Sequence, residues 1–84
     1  MKKRNTPVDN MAREWEENFK PRVLACRSVP LTLVAEILDC TVEKVQEMLR
    51  NPDYHFGVAR PGTYSYSYDV YPLRFISWYE GKLP

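Results

Sequence analysis

Two thiols and one imidazole are the most reactive side chains in this chain of 84 residues: Cys26, Cys40 and His55. Their chemistry would be metal ligation or nucleophilic attack, and both need partners at fixed spacing. No CxxC pair is present, and His55 has no acid or thiol placed in a catalytic pattern. Structural zinc takes four ligands where these residues supply three. The cysteines therefore read as reduced thiols in small hydrophobic roles. There is no GxSxG and no glycine loop to cradle phosphate, with only three glycines in all. Neither catalysis nor a metal or cofactor is expected.

The second set of chemically capable residues works without covalent bonds. Thr41, Glu43, Lys44, Gln46, Glu47 and Arg50 fall on the polar side of one short helical pattern. Glutamine can pair with adenine, glutamate can accept from the exocyclic amine of cytosine, and lysine and arginine attract phosphate. Two carboxylates facing a polyanion are unusual, and the plainer reading is a solvated helix face in which Glu43 and Glu47 repel slightly.

Placing those six residues on one face requires a specific set of elements. "LTLVAEILDCTVEKVQEMLR", residues 31–50, reads as two short helices joined by a tight turn. Ser28 can cap the first, with Pro30 in its first turn and Leu31, Val34, Ala35 and Leu38 as its apolar stripe. Thr41 caps the second, whose stripe is Val42, Val45, Met48 and Leu49. Ala35 is small enough for close helix crossing, and Asp39 is the turn residue that must reach positive φ. Val34, Leu38, Cys40, Val45 and Met48 are the expected shared core. Asn51, Pro52 and Asp53 break the pattern.

Upstream, Thr6, Pro7 and Asp9 mark a helix start. Val8, Met11, Ala12, Trp15 and Phe19 recur at helical spacing, and the helix is expected to end near Phe19 or Lys20 because Pro21 disfavours helix in the residue before it. In residues 20–29, Val23, Leu24 and Cys26 suggest a further buried turn. Downstream, "HFGVAR" and "TYSYSY" flank Pro61 and Gly62 with a period of two, which predicts a β-hairpin with a loop longer than two residues. Tyr64, Tyr66 and Tyr68 are expected on its inner face, covering the helices; the other reading is a stacking platform for single-stranded nucleic acid. Asp69 or Tyr71 caps a last helix with Pro72 in its first turn. Val70, Leu73, Ile76 and Trp78 or Tyr79 supply its contacts, and Gly81 ends it. Trp15 and Trp78 read as core.

Composition bounds the rest. This length makes one small domain that buries about three-fifths of its unfolded surface. With 44% apolar and 27% charged residues it should fold. No apolar run approaches the roughly 18 residues of a membrane span, and the basic start "MKKRNTPVDN" has no apolar segment behind it, so neither a membrane span nor a signal peptide is expected and the location reads as cytoplasmic. Net charge is +1, unevenly spread: +3 over residues 1–27, −2 over 28–50 and 0 over 51–84. Residues 1–5 read as a flexible basic arm in which Lys2, Lys3 and Arg4 add charge attraction, and residues 6–84 as a single domain.

The order of helix pair, hairpin and closing helix, carried by "AEILDCTVEKVQEML" and "HFGVARPGTYSYSY" over roughly residues 28–81, resembles the small winged-helix proteins of phages and mobile elements, the excisionases, and the DNA-binding part of the MerR-type regulators. The resemblance implies a mainly α fold with a β-hairpin, a winged helix-turn-helix with an extra amino-terminal amphipathic helix. Its helix pair would span 30–50, its wing 54–68 and its last helix 70–80. It also implies duplex DNA as partner: Thr41, Glu43, Lys44, Gln46, Glu47 and Arg50 would enter the major groove, with Arg60 and Thr63 at the wing tip. The amino-terminal helix departs from the compact family pattern. A recombinase or another protein could dock there through Trp15, and an oligomer is possible. The competing expectation is a winged helix used only for protein interaction, through the Trp15 helix or the tyrosine hairpin.

Overall fold

The computed structural model describes residues 7–81, so the expected Thr6 cap and the Lys2, Lys3 and Arg4 arm lie outside the described residues. The described chain is mainly helical with one antiparallel hairpin: α1 (Pro7–Glu14), a π-helical turn (Trp15–Phe19), α2 (Lys20–Leu24), α3 (Leu31–Leu38), α4 (Val42–Arg50), β1 (Gly57–Pro61), β2 (Tyr66–Val70) and α5 (Pro72–Tyr79). No helix among the described residues is long and apolar enough to cross a membrane.

The expected helix end before Pro21 is corrected. α1, the π turn and α2 form one unbroken rod, with helical dihedrals at Glu14, Phe19 and Lys20. In a regular helix the Pro21 ring would press on the carbonyl one turn back and leave it without a donor. Here the turn before Pro21 is widened, and the Lys20 N–H reaches back to the Trp15 carbonyl. A π bulge of this kind absorbs the proline without breaking the rod. The rod's inward side is narrower than its sequence pattern implies: Trp15 and Val23 are buried and Phe19 half-buried, but Met11, Ala12 and Leu24 are exposed.

α3 and α4 meet at the turn that residue types required. Asp39 has φ 55° and ψ 52°, the left-handed region, and its N–H reaches the carbonyls of Ala35 and Glu36. Cys40 N–H closes onto the Ala35 carbonyl at 3.0 Å, so the last carbonyls of α3 are satisfied. Thr41 Oγ1 then accepts from Lys44 N–H at 3.1 Å and caps α4. The expected Ser28 cap of α3 is not made. Pro30 occupies the cap position, and Ser28 Oγ instead donates to Asp69 Oδ1 at 3.1 Å. α3 is also buried more widely than one stripe: Leu33, Val34, Ala35 and Ile37 are all in the core, while Leu38, Cys40 and Met48 sit at its margin.

In the hairpin, Gly57 pairs with Val70 and Pro61 with Tyr66, leaving a four-residue loop, 62–65, closed by a bond of 2.8 Å from Gly62 N–H to the Ser65 carbonyl. Pro61 thus belongs to β1, and the turn is centred on Thr63 and Tyr64 rather than on Pro61 and Gly62. Gly57 lets β1 lie against α4: a Cβ there would stand 2.2 Å from the Asp69 carbonyl oxygen and 2.8 Å from Leu49 Cδ2. Val29 N–H bonds the Val70 carbonyl at 3.0 Å, and Tyr71 N–H bonds the Phe56 carbonyl at 2.9 Å, tying both ends of the hairpin to the body.

α5 begins after Tyr71, which holds the cap position through its backbone; Asp69 lies within β2 and does not cap. Gly81, at φ 78°, follows the end of α5 in the left-handed conformation that glycine adopts most easily. Phe75 and Ile76 enter the core, whereas Leu73, expected to contribute contacts, is 71% exposed. Phe56, Phe75, Trp78, Tyr79 and Trp15 form an aromatic cluster, with Trp15 and Tyr79 centroids 4.3 Å apart and Phe56 and Trp78 4.7 Å apart. These rings clamp the amino-terminal rod to α5 and the hairpin base.

Candidate nucleic-acid interface

The core position of Val45 and Leu49 fixes which side of α4 faces away from the body. Thr41, Glu43, Lys44, Glu47 and Arg50 are exposed on that outward side, and Gln46 is half-buried at its edge. The charges are partly matched within the helix: Lys44 Nζ stands 3.8 Å from a Glu47 oxygen, an exposed pair of little energetic weight that nevertheless offsets the cation's pull on distant phosphate. One cation, Arg50, bridges to the hairpin. Its Nη1 donates to the Tyr68 hydroxyl at 2.7 Å, and its guanidinium lies 5.4 Å from the centroid of Tyr66. The end of α4 and the middle of β2 therefore make one continuous surface.

The tyrosines do not form an inner face covering the helices. Tyr64 falls in the loop and is 98% exposed; Tyr66, beside it, is 45% exposed. Only Tyr68 is half-buried, and Val70, in phase with it, reaches the core. Tyr66 and Tyr68 lie side by side, 6.0 Å between centroids and 31° between planes.

Arg60 takes a different place from Arg50. It pairs with Ser67 in the register, and alternation along the strands puts it on the sheet face opposite Tyr66 and Tyr68. There it forms an ion pair and hydrogen bond with Asp69. That bond holds Asp69 below the usual carboxylate range, with Ser28 contributing a second bond, and raises Arg60 above its ordinary value. Arg60 and Arg50 are thus not brought together. Thr63 is exposed in the loop, at the hairpin tip as expected. Arg74, exposed in the first turn of α5, donates to the His55 carbonyl at 3.2 Å; its neighbourhood to the hairpin base carries no signal in the sequence, because only the tertiary packing creates it.

The other candidate surfaces have structural explanations. Trp15 is buried and donates through Nε1 to Glu80 Oε2 at 3.0 Å, and Lys20 Nζ meets the same oxygen at 2.8 Å. The hydrogen bond that the Lys20 ammonium donates to Glu80 raises its pKa above the ordinary value. Trp15 is therefore engaged within its own fold, although Met11, 63% exposed, lines an open groove of about 620 Å³ beside it. Among the described residues no three histidine, cysteine or acidic side chains converge as metal ligands, and Cys26 and Cys40 are free, half-buried thiols. Comparisons with protein-family models, with curated proteins and with solved structures find no match to this chain.

Proposed function

We propose that the chain is a winged helix-turn-helix protein that binds duplex DNA in a sequence-specific manner without catalysis, as an excisionase-like or small regulatory protein of a phage or mobile element does. α4 is the helix that enters the major groove and the hairpin is the wing. The observation that carries this reading is the uncovered outward side of α4, continuous with the hairpin through Arg50. Gln46 at its edge and Glu43 and Glu47 on it have the hydrogen-bonding capacity to read adenine and cytosine. Phosphate attraction rests on Arg50, Lys44 and the Lys2, Lys3 and Arg4 arm. With Lys44 opposed by Glu47 and Arg60 held by Asp69, few cations remain for phosphate, and the affinity should fall with salt as for about two to four phosphate contacts.

A duplex titration followed by amide chemical shifts at two salt concentrations tests this. Shifts at Lys44, Gln46 and Arg50 that weaken at the higher salt are the expected result. The second reading, a protein-interaction module, is favoured by the exposure of Met11 and Leu73. Unmoved α4 amides at low salt, with shifts at Met11 or Leu73 that follow protein concentration, would replace the DNA reading by that one.

A further inference from the structure

The hairpin leaves aromatic rings open to solvent at its tip. Tyr64 is almost wholly exposed at the loop, and Tyr66 is nearly half exposed next to it. A hollow of about 280 Å³ lies between them, lined by Pro61, Gly62, Thr63, Tyr64, Ser65 and Tyr66. Gly62 and Ser65 keep the surroundings of the rings free of bulk. Arg50 anchors the far end, bonded to Tyr68 and set over Tyr66, so the aromatic strip has a fixed cation along it.

Charge narrows the occupant. Residues 54–68 contain no carboxylate, and the nearest acid of β2, Asp69, is on the opposite sheet face and already bound to Arg60 and Ser28. A strip of exposed rings with a cation and no carboxylate of its own, the neighbouring Glu47 of α4 being opposed by Lys44, fits a ligand that is planar and negatively charged. Spacing narrows it again. Stacked bases in a duplex strand rise by roughly 3.4 Å, whereas the Tyr66 and Tyr68 centroids are 6.0 Å apart. Successive bases can use both rings only when they are no longer stacked on each other.

We propose that Tyr64, Tyr66 and Tyr68, with Arg50 as phosphate and ring partner, form a stacking site for unpaired bases of single-stranded DNA. This site shares Arg50 with the outward side of α4 but is built on the hairpin rings, and it does not rest on the duplex reading. Binding on it is tolerant of sequence, because every base offers a π face, and it weakens as salt rises.

The test is fluorescence anisotropy of a labelled oligothymidine of about ten nucleotides, a length within the range of single-strand sites, with the full chain and its variants. Tyr66→Ala should weaken binding about five- to a hundredfold, and Tyr66→Phe should leave it unchanged. Tyr64→Ala, at a position where nothing in the fold depends on the ring, should weaken it too. Gln46→Ala should not alter it, while changing duplex preference. No binding of oligothymidine at low salt, binding by Tyr64→Ala and Tyr66→Ala as tight as by the wild-type chain, or a Tyr66→Phe variant as poor as Tyr66→Ala would each overturn the proposal. Duplex binding could persist in any of these cases.

Discussion

At the scale of single residues, the turn between α3 and α4 depends on one backbone conformation that most L residues resist. Asp39 holds φ 55° there. Its short polar side chain makes the left-handed region less costly than for most residues, but glycine has no Cβ to oppose it. Asp39→Gly is expected to raise stability by about 0.5–1 kcal/mol, partly offset by glycine's greater freedom in the unfolded chain. Urea unfolding followed by far-ultraviolet dichroism checks it, and Asp39→Val should shift the midpoint the other way. Both Asp39 and the Thr41 cap were legible in the sequence because each acts within a few residues of itself. Tyr64 was misplaced for the opposite reason. Alternation puts it in phase with Tyr66 and Tyr68, but the loop begins at Gly62, so Tyr64 lies outside the ladder and owes nothing to strand phase.

At the scale of elements, the hairpin is positioned by contacts that sequence patterns do not announce. Gly57 supplies the notch into which Leu49 fits. Gly57→Ala would drive a methyl group into the Asp69 carbonyl and Leu49, and should destabilise the chain by about 1–3 kcal/mol, read as a lowered midpoint in the same unfolding assay. A second fastening is ionic: Asp69 joins Arg60 on β1 to Ser28 on the connector. Its carboxyl is held below the ordinary 3.8, so the contribution is complete above that pH and is lost as pH falls through the lower folded value. Thermal unfolding of the wild-type chain and of Asp69→Asn should therefore differ near neutrality and converge in acid below pH 3.8. A constant difference through acid would remove Asp69 from this role. The same element scale explains what the sequence concealed. The proline rule is sound locally, yet a π turn spanning Trp15–Phe19 reconciles Pro21 with a continuing helix. The phase of α5, with Phe75 inside and Leu73 outside, is set by the aromatic cluster it meets.

At the scale of the molecule, helix pair, hairpin and closing helix follow one another as the sequence order implied, and hydrophobic burial joins the amino-terminal rod to the same core. The candidate site was legible as a set of residue types on α4, because helical period alone separates Val45 and Leu49 from Glu43, Lys44, Glu47 and Arg50. The partnership of Arg50 with Tyr66 and Tyr68 was not, since it joins residues across the break at Asn51, Pro52 and Asp53. Nor was the sequestration of Arg60, which requires the strand register. The exposed side of α4 carries nearly balanced charge, which under the proposed duplex reading would favour reading bases over gripping phosphate. Selection of bound sequences from a randomised duplex pool, run in parallel for the wild-type chain and for Gln46→Ala, tests that most directly. An enriched motif that changes at a single base step when Gln46 is lost is the expected result; a pool that emerges unenriched with the wild-type chain at low salt would contradict it.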